Sequence, residues 1–155
     1  MKQPDVEMRI IKAKEKLLKK DRFLLRNDVN ERSITHKLAQ YLEKQFPGWD
    51  VDCEYNRVGK TPMNKKLRLQ AEPSCTNDTD AKTVYPDIIV HHRGKEKQNL
   101  LVIEAKKKSN RSGPGRDENK LRSFADELGY QHCVLVIFDV DRVCHRFTKP
   151  ARRAD

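Results

Sequence analysis

The chain has 155 residues, of which 36% are hydrophobic and 36% charged, and its formal net charge is +10 at pH 7. This length fits one domain, and the apolar residues fall into periodic runs, which excludes a chain that is disordered throughout. No apolar run approaches the roughly 20 residues of a membrane span, and the N-terminus lacks the apolar stretch of a secretory signal. We therefore expect a soluble, cytoplasmic protein whose positive charge favours a polyanionic partner, nucleic acid ahead of an anionic membrane surface.

The N-terminal part of the chain has a helical pattern. Residues 6–25 carry basic side chains between apolar ones at helical spacing, which predicts one basic amphipathic helix. The apolar positions are Val6, Ile10, Ala13, Leu17 and Leu24. The lysines and arginines of this helix either contact phosphates or form an ordinary solvated face.

A second helix is predicted over residues 29–45, ending before Pro47 and Gly48. Within it, Glu31 precedes Ile34 by three residues and Leu38 by seven, which would place its carboxylate at the core-facing end of the helix. Alternatively, Glu31 completes a capping box that begins at Asp28, where an acidic side chain also suits the helix dipole. Both interpretations stay open.

Several strands follow this helix. Residues 49–55 alternate apolar and polar side chains, which is typical of a half-buried strand. Residues 59–82 are irregular, and we predict an exposed loop or hairpin there, with at most a short strand near residues 67–69. Residues 83–91 and 99–106 are apolar runs separated by a polar, glycine-containing turn, so they should be antiparallel neighbours.

The last part of the chain is predicted to form a helix and a buried strand. Apolar residues between Leu121 and Leu128 mark an amphipathic helix that starts near Asp117 and ends at Gly129. Residues 133–140 are almost entirely apolar and indicate a strand covered on both faces. The four cysteines form no CxxC pair, so neither a zinc site nor a disulfide scaffold is predicted.

Charged residues on the two apolar runs indicate a functional site. Asp87 follows Pro86 in the first run, and Glu104 and Lys106 end the second. Residues i and i+2 of a strand share a face, so Glu104 and Lys106 should project together while Ala105 packs behind them. If the two runs pair, Asp87 and Glu104 can share a divalent cation.

The sequence resembles the PD-(D/E)XK nuclease superfamily in this motif and in the element order helix, strand, strand, strand, helix, strand. Pro86-Asp87 and Glu104-Ala105-Lys106 carry the resemblance, and Glu31 stands where many members place an acidic residue on the first core helix. It covers roughly residues 28–140 and implies an α/β fold. That fold has a restriction-endonuclease-like core, a mixed central sheet of about four strands flanked by helices.

The resemblance implies a single nuclease-like domain over residues 1–155. Residues 1–27 would form the basic N-terminal helix, residues 28–140 the core and residues 141–155 a basic tail. One branch of the superfamily carries a glutamine and a tyrosine three residues apart on the later helix. Here Tyr130 and Gln131 are adjacent, so the chain is not assigned to that branch.

The resemblance implies a nuclease that hydrolyses phosphodiester bonds with Mg²⁺ or Mn²⁺, in DNA before RNA, and it leaves open whether the enzyme is an endonuclease or an exonuclease. Asp87 and Glu104 would bind the metal with the backbone carbonyl of Ala105. Lys106 would stabilise the pentavalent phosphorus or orient the attacking water, and Glu31 would contact a metal-bound water or a second ion. Phosphate contacts are expected from four basic residues, Lys107, Lys108, Arg111 and Arg116.

A homodimer or a larger nuclease complex is compatible with this resemblance, as is a role in host defence, in mobile elements or in DNA repair. Two alternatives to the nuclease remain. The first is a nucleic-acid-binding module or subunit that keeps the fold without cutting. The second is a basic adaptor that docks on a protein through its N-terminal helix. A pure binding module has no need for Asp87, Glu104 and Lys106 on one face, so the sequence favours the nuclease.

Overall fold

A computed structural model describes residues 1–55, 66–67, 82–83, 85–95, 98–110 and 114–148. These residues form helices and strands in the following order: α1 Gln3–Lys20, α2 Arg22–Arg26, α3 Glu31–Gln45, β1 Asp50–Cys53, β2 Lys66–Leu67, β3 Lys82–Thr83, β4 Ile88–His91, β5 Asn99–Lys107, α4 Pro114–Leu128, β6 His132–Phe138 and β7 Val143–Phe147. None of the helices in the described ranges is both long and apolar enough to cross a bilayer.

Five of the strands form one open mixed sheet in the order β1–β4–β5–β6–β7. Strands β5 and β6 are parallel, and every other neighbouring pair in this sheet is antiparallel. Strands β2 and β3 form a separate antiparallel ladder. The predicted α/β class and the antiparallel pairing of β4 with β5 are confirmed, and the sheet has one strand more than expected.

Helices cover both faces of the sheet, because alternate side chains of each strand point to opposite sides. On one face, α1 and α3 pack against a core that includes Val90, Ile103 and Val134. On the other face, α4 packs against a smaller core that includes Val102 and Leu135. Strand β5 is therefore covered on both sides, so any charged group on it needs a specific partner.

The N-terminal helix is not continuous, contrary to the prediction for residues 6–25. It breaks at Asp21, whose φ of −123° and ψ of 26° lie outside the helical region. The carboxylate of Asp21 accepts a hydrogen bond from the Tyr41 hydroxyl on α3. This contact anchors the chain between α1 and α2, and Leu25 of α2 is buried in the same core as Leu17 of α1.

Helix α3 begins at Glu31, two residues later than predicted, and the capping box from Asp28 is wrong. Asn30 is the N-cap, and its side-chain oxygen accepts a hydrogen bond of 2.8 Å from the backbone N–H of Arg32. Asp28 has a φ of 48°, and its carboxylate lies 2.7 Å from the ammonium of Lys107. Residues Asp28 to Glu31 thus connect α3 to the end of β5.

Strand β7 occupies part of the region predicted to be a basic tail. It pairs with β6 through five residues, and Val143 is buried in the core beside α1 and α3. Phe147 packs against the same core. Val143 and Phe147 are the side chains of β7 that pack on this core, and the polar and basic residues around them concealed the strand in the sequence. Residues 149–155 lie outside the described residues.

The remaining element boundaries differ modestly from the prediction. Strand β4 covers only residues 88–91 of the predicted 83–91, and α4 begins at Pro114, before Asp117. Helix α4 ends as predicted before Gly129, whose φ of 67° suits a residue without a Cβ. Strand β2 overlaps the short strand predicted near residues 67–69, and most of the irregular segment lies outside the described residues.

The core between α3 and the sheet yields a stability prediction. Leu38 is fully buried there, so Leu38→Ala should lower the free energy of unfolding by about 2–5 kcal/mol in urea denaturation. Met8 on α1 is 54% exposed, and Met8→Ala should change it by less than about 0.5 kcal/mol. Equal effects of the two substitutions would contradict the packing described.

Candidate active site

The predicted acidic residues meet beside the first residue of β4, where β5 extends beyond its pairing with β4. Strand β4 begins at Ile88, whereas β5 continues to Lys107, beyond its pairing with β4. Two side chains bond to backbone N–H groups of this extension. Asp87 accepts a hydrogen bond of 2.7 Å from the N–H of Ala105, and Glu31 accepts one of 2.7 Å from the N–H of Lys107. The two carboxylates thus supply the hydrogen-bond acceptors that a neighbouring strand would otherwise provide to this part of β5.

The alternation predicted for β5 is confirmed. Ile103 and Ala105 belong to the core formed with α1 and α3. Glu104 and Lys106 point to the opposite face, where both pair with side chains of α4. Both are almost completely buried, so their charges are held within the protein and do not lie on its surface.

Glu104 is a buried carboxyl with a neighbouring carboxylate. Burial, reinforced by the negative charge of Asp87, raises the pKa of Glu104 to about 8. One of its oxygens, Oε1, is buried and has no hydrogen-bond partner among the described residues. Two close carboxylates and an unpartnered buried oxygen form a place where a cation would be stabilised.

Asp87 has a similar but less extreme environment. Burial raises the pKa of its carboxyl, and the hydrogen bond from Ala105 and the charge of Lys120 oppose that rise. Negative charge on Glu31 raises it further, so Glu31 is close enough to act on Asp87. The structure therefore brings Glu31, Asp87 and Glu104 into one electrostatic neighbourhood.

Helix α4 contributes two residues whose roles the sequence did not reveal. Lys120 donates from its ammonium to Glu104 at 2.8 Å and to the backbone carbonyl of Tyr85 at 3.0 Å. Asp117 forms an ion pair of 3.0 Å with Lys106. In the sequence alone, Asp117 marks only the start of the helix. A usable signal existed, because Asp117 and Lys120 each lie four residues before a buried apolar residue of α4, on its sheet-facing side.

The residues fit a metal site of the kind that uses few protein ligands. Mg²⁺ is commonly held by one or two carboxylates, the remaining ligands being waters and substrate phosphates. The described residues contain no group of three or more His, Cys, Asp or Glu side chains arranged to hold a metal ion. Asp87 and Glu104 would supply two carboxylates. The backbone N–H of Ala105 donates a hydrogen bond to the Asp87 carboxylate. The carbonyl of Ala105 faces the same edge of the strand as this N–H.

The predicted phosphate contacts differ in their surroundings. The ammonium of Lys107 lies 2.7 Å from the carboxylate of Asp28 and 3.2 Å from its carbonyl oxygen, so it holds the start of α3. Lys108 is exposed and pairs with Asp139 at 2.8 Å. Arg116 is exposed at the start of α4, and Arg111 lies outside the described residues.

The pKa of Glu104 generates a prediction about stability. A carboxyl with a pKa of about 8 when folded, against 4.5 as its ordinary value, binds its proton more tightly in the folded state. Its contribution to stability is therefore full at low pH and is lost as the pH rises from about 4.5 to about 8. Glu104→Gln should remove this loss and stabilise the metal-free protein by a few kcal/mol at pH 9, with little change at pH 4.

Urea denaturation of both proteins between pH 4 and pH 9, in the presence of EDTA, measures the effect. If wild type and variant lose stability in parallel as the pH rises, Glu104 is not the group responsible.

Comparison with known proteins adds no relative. The sequence matches no protein-family model, and it is not significantly similar to any curated protein or to any solved structure. The function of the chain therefore has to follow from its own residues.

Proposed function

We propose that this protein is a metal-dependent nuclease of the PD-(D/E)XK type, which hydrolyses phosphodiester bonds in DNA in preference to RNA with Mg²⁺ or Mn²⁺. One observation carries the proposal. Asp87 and Glu104 lie close together at the end of a buried sheet, and Lys106 projects from the same face of β5 as Glu104.

The order of elements supports this proposal. Helix α3, strands β1, β4 and β5, helix α4 and strand β6 follow one another as in the restriction-endonuclease-like core that the motif implies. The acidic and basic motif residues lie on β5 and just before β4, which are adjacent near the middle of the sheet. The β2–β3 ladder and β7 are additions to that arrangement.

Phosphodiester hydrolysis sets the tasks of the site. It requires an activated water and neutralisation of the charge that develops on the phosphate oxygens. A divalent ion, when bound, supplies both by polarising the phosphate and lowering the pKa of a bound water. The carboxylates of Asp87 and Glu104 would hold this ion, together with the carbonyl of Ala105.

Lys106 and Glu31 would position the reacting groups and balance the charge on the phosphate and the metal. Lys106 is a compact cation held by Asp117 at 3.0 Å, and its ammonium would stabilise negative charge on the phosphate. Glu31 fixes the end of β5 through the N–H of Lys107 and would contact a metal-bound water or a second ion. The net charge of +10 would attract a polyanionic substrate to the site.

The ion pairs that two lysines form in the site favour a second candidate function. Glu104 and Asp117 are each already paired with a lysine of the chain, Lys120 and Lys106 respectively. Such internal neutralisation is also what a nucleic-acid-binding module or subunit with the same fold, but no metal, would require. The two functions differ in whether the chain cuts what it binds.

Cleavage of labelled single-stranded DNA, duplex DNA and RNA with Mg²⁺ or Mn²⁺ tests the proposal. Asp87→Asn, Glu104→Gln and Lys106→Met preserve approximate shape and remove charge, and each should lower the cleavage rate by about 100-fold or more. EDTA should abolish cleavage. Arg122 lies on the exposed side of α4, and Arg122→Gln serves as the matched charge control with nearly unchanged activity.

Binding of these nucleic acids without cleavage under any metal condition would replace the nuclease by the binding module. Salt-insensitive binding to a protein, with no affinity for nucleic acid, would favour the adaptor instead.

A further inference from the structure

We propose that Lys120 is an internal cap of the candidate metal site. When Glu104 is ionised in the metal-free protein, the Lys120 ammonium takes the place of a cation on it, and a metal ion binds to this carboxylate only when the ion pair opens. The inference rests on the proposed function, since it concerns how the same site is loaded.

The contacts of Lys120 are those of a substitute cation. Its ammonium lies 2.8 Å from a carboxylate oxygen of Glu104 and 3.0 Å from the backbone carbonyl oxygen of Tyr85. Carboxylate and carbonyl oxygens are also the protein ligands that Mg²⁺ and Mn²⁺ prefer. Tyr85 precedes Asp87 by two residues, so the ammonium bridges the two segments that would supply the metal ligands.

The charges around the site give Lys120 this role. Lys106 is engaged with Asp117 at 3.0 Å, whereas Lys120 contacts Glu104 directly and acts electrostatically on Asp87 as well. A divalent ion between Asp87 and Glu104 would be repelled by an ammonium on the same carboxylate. The Lys120 charge and the metal therefore compete for Glu104.

The position of Lys120 allows the pair to open without unfolding. Its side chain is 23% exposed whereas that of Glu104 is 7% exposed, so Lys120 has access to solvent that the carboxylate lacks. Lysine carries its ammonium on a flexible four-carbon stem, and a rotamer change would move the charge outward while the α4 backbone stays in place. The released ammonium would then lie beside the site, where a substrate phosphate can contact it.

Calorimetric titration with Mn²⁺ alone tests this competition without relying on activity. Lys120→Gln keeps a hydrogen-bond donor but loses the charge, so it should bind Mn²⁺ about tenfold more tightly than wild type or better. Lys120→Arg keeps the charge and should retain the wild-type affinity within about threefold. Arg122→Gln removes a charge from the exposed side of α4 and controls for the general loss of positive potential. Asp87→Asn should lose most of the binding.

The outcomes separate this inference from the proposed function. If wild type binds Mn²⁺ and Lys120→Gln binds it no more tightly than Arg122→Gln does, the cap is refuted and the metal site stands. If neither wild type nor Lys120→Gln binds Mn²⁺, the metal-dependent nuclease fails, and the cap fails with it.

A measurement on the wild-type protein covers the case in which Lys120→Gln does not fold. Reductive methylation followed by mass spectrometry reports how accessible each lysine ammonium is. Saturating Mn²⁺ should raise the labelling of Lys120 severalfold and leave Lys44, which is exposed on α3, unchanged. Unchanged labelling of Lys120 at saturating Mn²⁺ would overturn the proposal.

Discussion

Backbone hydrogen bonding along β5 is the constraint on which the arrangement of the site depends. The pairing of β4 with β5 stops at Ile88 and Ile103 while β5 continues to Lys107, and buried N–H groups without acceptors are costly. Carboxylates of Asp87 and Glu31 accept from the N–H groups of Ala105 and Lys107 at this edge. The same hydrogen bonds that complete the sheet thus gather negative charge around Glu104, and a structural requirement creates the electrostatics of the site.

Helix α4 balances that negative charge through two ion pairs, in each of which one element supplies the lysine and the other the carboxylate. Lys120 pairs with Glu104 of β5, and Asp117 of α4 pairs with Lys106. These pairs lie beside the smaller apolar core beneath α4, so helix docking and charge balance occur in one place. Burial keeps the pKa of Glu104 at about 8 despite the lysine, an environment typical of functional carboxyls and costly for stability alone.

Local periodicity predicted the parts of the structure that depend on one element at a time. Alternation along β5 predicted the common face of Glu104 and Lys106, and helical spacing predicted α3 and α4 to within a few residues. Features set by contacts between distant residues were missed or left open. Asp21, at which the first helix breaks, accepts a hydrogen bond from Tyr41 of α3, and Glu31 accepts one from the backbone N–H of Lys107. The role of Lys120 is visible only in the folded structure, where α4 packs on β5 and brings this lysine to Glu104.

Anomalous diffraction from crystals of the wild-type protein soaked in Mn²⁺ tests the central claim most directly, because it locates the metal independently of any substrate. The account predicts one manganese peak between the carboxylates of Asp87 and Glu104, with the Lys120 ammonium moved away from Glu104. Absence of such a peak at saturating Mn²⁺, with Lys120 still bound to Glu104, would contradict it.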